Sequence, residues 1–222
     1  MDKTLNPSVI LSLDYVIVTQ AKDEVPWKSD SAECMRVLVQ GDKRLYEYVA
    51  PSGMSGTKLL ILAPEKAYVY LPDFGKVRTV ILKSEPAGFV GMFAVQDLGG
   101  ANYSTLYSAQ VTQDDEATCI LKLTPKPDKK TPYPCIELTI DKSVMLPAKI
   151  EYFDTQGTKI KTETRRRYDT KDGVSTPRQI RMTDYRAEGD TTTYYLLDWE
   201  ILAELPPETF TTKGLIPVPV ND

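Results

Sequence analysis

The sequence predicts a mainly β protein (α+β), built as a large antiparallel meander that forms a barrel or a strongly curved sheet. Three observations predict it. From about residue 33 apolar and polar residues alternate at period two. The alternating segments are rich in Val, Ile, Thr and Tyr and recur roughly every ten residues. Turn chemistry separates them, at Gln40-Gly41-Asp42, Pro51-Ser52-Gly53, Asp73-Phe74-Gly75, Gln156-Gly157 and Asp172-Gly173. The 222 residues suit one domain, because all-β barrels and sandwiches often reach this size undivided. An apolar fraction of 41% and a charged fraction of 26% are those of a globular chain able to bury a core.

Taken in order, the first segment, about 6–20, reads as an amphipathic helix laid on the sheet. Asn6 is a good N-cap and Pro7 fits the first turn. Val9, Leu13, Val16 and Ile17 then recur at helical spacing, although many β-branched residues weaken the pattern. Strands are expected at Cys34–Gln40, Arg44–Ala50, Lys58–Ala63, Ala67–Leu71 and Lys76–Leu82. After a gap come Ser104–Thr112, Ala117–Thr124, Cys135–Ile140, Ala148–Phe153, Lys159–Tyr168, Ser175–Tyr185 and Thr191–Leu202. The gap, about 85–100, carries almost no charge and is dense in Phe, Met and Gly. It suits a short helix or a flap over an apolar surface. Pro206-Pro207-Glu208-Thr209-Phe210 reads as one more helical turn. The tail, about 213–222, is expected to be extended, since alternate prolines forbid helix.

The composition removes whole classes of chemistry. The chain has no histidine, so His general acid–base catalysis, His-activated nucleophiles and His-ligated metals are excluded. A net charge of −4 argues against a nucleic-acid partner, which needs a dominant basic face. No P-loop, GxGxxG, HExxH, GxSxG or EF-hand loop is present. Gly53-Met54-Ser55-Gly56-Thr57 is a turn before a strand. Asp114-Asp115-Glu116 reads as a solvated hairpin loop, and Arg165-Arg166-Arg167 as a solvated edge on which at most Arg165 and Arg167 share a face. Cys34, Cys119 and Cys135 fit no zinc or CxxC pattern and read as buried or free thiols. A Cys119–Cys135 disulfide across a hairpin is the sharper alternative. No apolar run reaches the length of a membrane span. Met1-Asp2-Lys3-Thr4 lacks the regions of a signal peptide, so the expectation is a cytosolic chain or one whose signal has been removed. A curved sheet has a concave face, and if apolar side chains line it and mobile segments cap it, that face holds a hydrophobic ligand. Phe89, Met92 and Phe93 then either cap it or simply fill the core.

Four motifs in order carry a resemblance to a known family. They are Lys66-Ala67-Tyr68-Val69-Tyr70-Leu71-Pro72 with Gly75-Lys76-Val77-Arg78-Thr79-Val80, and Gly88-Phe89-Val90-Gly91-Met92-Phe93 with Gln96-Asp97-Leu98. Cys119-Ile120-Leu121-Lys122-Leu123 with Pro125-Lys126 follows, and then Tyr133, Ile140-Asp141, and the run from Leu146 to Asp154 with Gly157. Between about residues 53 and 163 this resembles the outer-membrane lipoprotein-sorting proteins, relatives of the carriers LolA and LolB. Tyr68 stands where that family usually has Trp. The Phe89–Phe93 segment is one residue shorter and lacks the family's Asp before the second Phe, and Cys135 is additional.

The resemblance implies a half-barrel of antiparallel strands covered by a few helices, with an apolar cavity between. It implies export to the periplasm, with the signal peptide absent from this sequence and Met1 an added residue. It implies lipid or lipoprotein acyl chains as ligands, no enzyme activity and no cofactor. An envelope membrane protein is a possible partner if the chain is instead an RseB-like sensor or adaptor, or an accessory subunit of a lipid exporter. No motif fixes the cavity lining. Alternation and position in the flap nominate Leu60, Leu62, Val69, Leu71, Phe89, Met92 and Phe93, with Tyr68 and Tyr70 facing out if Val69 and Leu71 face in; the opposite register is the alternative.

Overall fold

The computed structural model describes residues 2–22, 24, 32–51, 53–63, 66–81, 88–100 and 103–217. A short helix α1 (Asp2–Leu5) leads into β1 (Ile10–Gln20), β2 (Ala32–Gln40), β3 (Lys43–Ala50), β4 (Lys58–Ala63), β5 (Lys66–Leu71) and β6 (Lys76–Val80). A connecting segment follows, containing the single-turn helices α2 (Val95–Leu98) and α3 (Tyr103–Leu106). The chain then forms β7 (Tyr107–Asp114), β8 (Thr118–Pro125), β9 (Cys135–Asp141), β10 (Leu146–Phe153), β11 (Lys159–Lys171), β12 (Val174–Asp184) and β13 (Asp190–Leu202).

All thirteen strands belong to one antiparallel sheet, in the order β6-β5-β4-β3-β2-β1-β13-β12-β11-β10-β9-β8-β7. Two meanders therefore lie side by side. One runs outward from β1 to the edge strand β6; the other runs inward from the opposite edge, β7, to β13. They join where β1 pairs with β13, from Ile10↔Leu202 to Gln20↔Thr191. Register shifts, as between Asp14 and Tyr15 in β1 and between Pro147 and Lys149 in β10, mark bulges, and bulges add twist and bend. The result is an open half-barrel. The connecting segment must travel from one sheet edge to the other, and it does so across the concave face.

The helix expected over 6–20 is a strand. Its β-branched residues are the physical reason. Leu11, Leu13, Tyr15 and Ile17 are all buried on one face at period two, a pattern that the 3.6-residue reading of Val9, Leu13, Val16 and Ile17 passed over. The strand expected from Ser104 begins at Tyr107, after α3, and the other strand expectations agree with the sheet to within three residues at either end. Residues 212–216 form turns rather than an extended tail, and 218–222 lie outside the described residues.

Each face of the sheet carries a core. The inner one takes Leu11, Leu13, Val37, Val39, Tyr46, Leu59, Ile61, Ile136, Leu138, Ile150, Met182, Tyr194 and Leu196, with Val90, Phe93, Val95 and Leu98 of the connecting segment packed over them. The outer one is smaller. Leu45, Leu60 and Tyr70 pack against Leu215, with Leu38, Leu62, Tyr68, Val77 and Phe210 around them. The C-terminal turns thus cover the convex side of β2–β6. Cys34, Cys119 and Cys135 are free thiols. Cys119 pairs with Ile140 while Cys135 starts the same strand β9, five residues earlier. At about 3.4 Å per residue that places them about 17 Å apart, which rules out the disulfide alternative.

Candidate functional site

Between the concave face and the connecting segment lies a cavity of about 170 Å³. Its floor is Leu11, Leu13 and Tyr15 of β1, Val37 and Val39 of β2, Arg44 and Tyr46 of β3, Glu163 and Arg165 of β11, and Tyr194 of β13. Its roof is Phe93, Asp97, Leu98 and Gly99, and Thr4, Leu5 and Pro7 stand at one side. A second cavity of about 90 Å³ adjoins it, lined by Tyr103, Tyr107, Tyr133, Ile136 and Tyr152. Asp97, Gly99, Glu163 and Arg165 line both, so these residues form the partition between two chambers.

The roof is held down by polar groups. Lys161, fully buried on the inner face of β11, donates through Nζ to the carbonyl of Met92 and to Asp97 Oδ2, both at 2.9 Å. Asp97 also accepts from the Tyr133 hydroxyl at 2.6 Å and from the Ala94 amide at 2.8 Å. The Met92 amide donates to Thr192 Oγ1 at 2.8 Å, and the Tyr46 hydroxyl donates to the Leu98 carbonyl at 2.7 Å. Gly91 makes this seating possible. Its φ is +55°, and a Cβ there would lie 2.0 Å from Thr192 Oγ1 and 2.5 Å from Thr19 Oγ1. Only a glycine both adopts that conformation and admits such an approach.

Behind Lys161 stands Asp184, 3.9 Å away. Burial raises the Asp184 carboxyl, but the Arg186 guanidinium and backbone amide outweigh that and hold it below the usual carboxylate range. In the partition, Arg165 Nε donates to Glu163 Oε1 at 2.6 Å, and the Tyr152 hydroxyl reaches Glu163 Oε2 at 3.3 Å. Burial alone would lower the Arg165 guanidinium; Glu163 beside it reverses the sign and raises it. Burial pushes the Tyr15 hydroxyl up to about 12 and raises those of Tyr46, Tyr152 and Tyr194 above the usual tyrosine value. Among the described residues no group of three or more Cys, Asp or Glu side chains lies together to hold a metal.

The residues nominated from the sequence separate into two sets. Phe93 is buried in the roof and lines the larger cavity, and Met92 packs beside it with its backbone in the latch. Phe89 is on the same segment but 39% exposed and lines neither cavity. Leu60 and Leu62 belong to the outer core and must be withdrawn from the lining. Their inner-face neighbours on β4 are Leu59 and Ile61, so the register in β4 is the opposite of the one expected. Val69 sits opposite Leu59, on the inner face with Leu71, while Tyr68 and Tyr70 face the outer core; yet Val69 and Leu71 line neither cavity. Arg165 is no solvated edge residue: it is half-buried and lines both chambers.

Sequence reasoning missed Arg44, Lys161 and Glu163 altogether and quoted Asp97 only within a motif. The available signal was alternation in β11. Lys161, Glu163 and Arg165 share one face, and default logic sends charges outward. Their cross-strand partners argue otherwise. Glu163 lies between Ile150 and Met182, both fully buried.

The fold and cavity define a class: an open antiparallel half-barrel with a roofed internal chamber, the fold of the LolA superfamily. A domain described as an outer membrane lipoprotein-sorting protein from Vibrio parahaemolyticus superposes with a TM-score of 0.82 at 21% identity, over 97% of this chain and 95% of that one. A DUF1329 family protein from Desulfovibrio piger gives 0.83 at 21% identity, over 96% and 94%. A LolA superfamily protein from Nitrosomonas europaea gives 0.75 at 21% identity, over 96% and 94%. No curated protein matches the chain. A family model described as "Uncharacterized protein" matches residues 40–216, and the chain belongs to that family.

Proposed function

We propose that this protein is a periplasmic carrier that takes up a lipid or lipoprotein acyl chain in the cavity beneath the connecting segment and moves it between envelope membranes, with no covalent chemistry. The observation that carries this reading is a chamber on the concave face, lined mostly by aromatic and aliphatic side chains and closed by a roof that rests on a few polar contacts. Similarity in fold to a lipoprotein-sorting domain agrees with it.

Each CH₂ removed from water contributes roughly 0.8 kcal/mol, so a twelve-carbon chain contributes about 10 kcal/mol gross. The resting cavity of about 170 Å³ is smaller than the roughly 300–1,000 Å³ of common ligand sites. A whole chain therefore enters only when the roof lifts. Lifting it rehydrates Lys161 and Asp97 together, and the hydration regained offsets much of the lost ion pair. A roof fastened this way can open at modest cost, as reversible loading and delivery require.

The test is transfer of a fluorescent acyl-chain lipid from donor to acceptor vesicles. The reading expects a transfer rate that rises in proportion to protein concentration, with protein-bound lipid as the intermediate. Transfer no faster than without protein, together with no bound lipid, overturns it.

A further inference from the structure

Two guanidiniums, Arg44 and Arg165, and two carboxylates, Asp97 and Glu163, line the cavity, but both carboxylates have other partners than Arg44. Asp97 is matched by Lys161, and Glu163 by Arg165. Arg44 is buried on the inner face of β3, flanked across the strands by Val39 and Ile61, and no carboxylate lies within 4 Å of it among the described residues. Its hydrogen bonds run only to neutral oxygens: the carbonyls of Gly41 (2.6 Å), Lys43 (2.9 Å) and Leu5 (2.8 Å), and Asn6 Oδ1 (3.1 Å). Burial lowers its guanidinium; Tyr46 and the more distant Asp42 offset part of that, and Arg165 across the same chamber adds to the lowering. Two guanidiniums facing one cavity, one of them unpaired, form an expensive arrangement for a site meant only for hydrocarbon. Tyr15 lines the same cavity, its hydroxyl hydrogen-bonded to Thr176 and acted on by both positive charges.

From this we infer that Arg44, with Arg165 and the Tyr15 hydroxyl, forms a subsite for an anionic group, so that the preferred ligand is a single-chain amphiphile with a carboxylate or phosphate head that enters the cavity. The inference rests on the carrier reading for the chain and adds the head. An oxyanion adds the attraction of opposite charges to the hydrogen bond and can accept from the guanidinium in bidentate fashion, neither of which the single carbonyl and amide oxygens Arg44 now bonds can do. Leu5 and Asn6, which Arg44 holds at one side of the cavity, are the acceptors such an anion displaces. Glu163 limits the site: the head must sit on the Arg44 side, away from that carboxylate.

Dodecanoate, dodecyl phosphate, dodecanol and inorganic phosphate are each titrated into the delipidated full chain, with displacement of an apolar fluorescent probe and isothermal calorimetry as readouts. The expected result is that both anionic amphiphiles bind about tenfold or more tighter than dodecanol, the scale of one charge-assisted hydrogen bond. In Arg44→Gln the ratio of anionic-amphiphile to dodecanol affinity should fall to within about twofold, whatever the change in dodecanol affinity itself; a ratio that stays about tenfold overturns the assignment to Arg44. Should Arg44→Gln fail to fold, Arg165→Gln and the comparison of ligands in the unaltered protein decide. Dodecanol binding as tightly as dodecanoate overturns the anionic subsite and leaves the carrier reading standing. Inorganic phosphate binding through Arg44, with no amphiphile bound, overturns the carrier reading and identifies a plain anion site. No binding of any of the four overturns both.

Discussion

Asp97 and Lys161 decide how tightly the roof sits on the sheet. Both side chains are fully buried, and each is satisfied by the other and by roof or sheet groups. Removing one partner strands the other in a dry site, a loss of roughly 3–5 kcal/mol. Asp97→Asn should therefore lower the urea unfolding free energy by about that much, and a change under about 1 kcal/mol would show that water already reaches the pair. Gly91 tests the same seating sterically. Gly91→Ala places a methyl group on Thr192 Oγ1 and in a left-handed conformation, and should cost about 2 kcal/mol or more. Its specific signature is greater binding of an apolar dye, as the roof stands off the cavity; unchanged dye binding would mean the segment seats without Gly91.

At the scale of elements, β11 carries the polar half of the site and the connecting segment carries the lid. Twelve of the thirteen strands among the described residues were legible as β-rich runs between turn residues, most of them alternating because an antiparallel sheet commonly buries one face and wets the other. The thirteenth, β1, lies at the centre of the sheet and buries residues on both faces, Ser12 as well as Leu11 and Leu13. Its apolar residues therefore fall at helical and at strand spacing alike. Leu60 and Leu62 were misplaced for a related reason. β4 reads Leu59-Leu60-Ile61-Leu62, apolar on both faces, and no alternation exists to show which side meets the cavity and which meets Phe210 and Leu215. The polar latch was illegible because it pairs residues 64 positions apart, and only the sheet order brings Lys161 under Asp97. A disulfide between cysteines placed at Met92 and Thr192 exploits that geometry. Oxidised, this variant should lose uptake of a dodecyl ligand; reduced, it should regain it. Equal uptake in both states would place the entrance elsewhere than under the roof.

For the whole molecule, the inner face is a store of buried hydroxyls, and pH exposes it. Burial raises the pKa of Tyr15 to about 12 and raises those of Tyr46, Tyr133, Tyr152 and Tyr194 above the usual tyrosine value. Below about pH 10 these tyrosines are protonated in both folded and unfolded chains, and their contribution is fully present. Above it the unfolded chain ionises first and binds fewer protons than the native state, so stability falls by about 1.4 kcal/mol per pH unit for each such tyrosine. Alkaline unfolding should thus be steep, with tyrosinate absorbance and loss of the sheet appearing in one transition. Tyrosinate forming gradually while the sheet persists would show that the inner face is already wet.

The central claim is that the space under the roof holds an acyl chain. Native mass spectrometry of the protein isolated from an envelope fraction, followed by organic extraction of whatever is bound, tests it most directly. The account predicts a discrete added mass that extracts as a lipid or as the acylated end of a lipoprotein, and that vanishes when the roof is locked by the disulfide between positions 92 and 192. A clean mass of the polypeptide alone, unchanged after incubation with lipid vesicles, would contradict it.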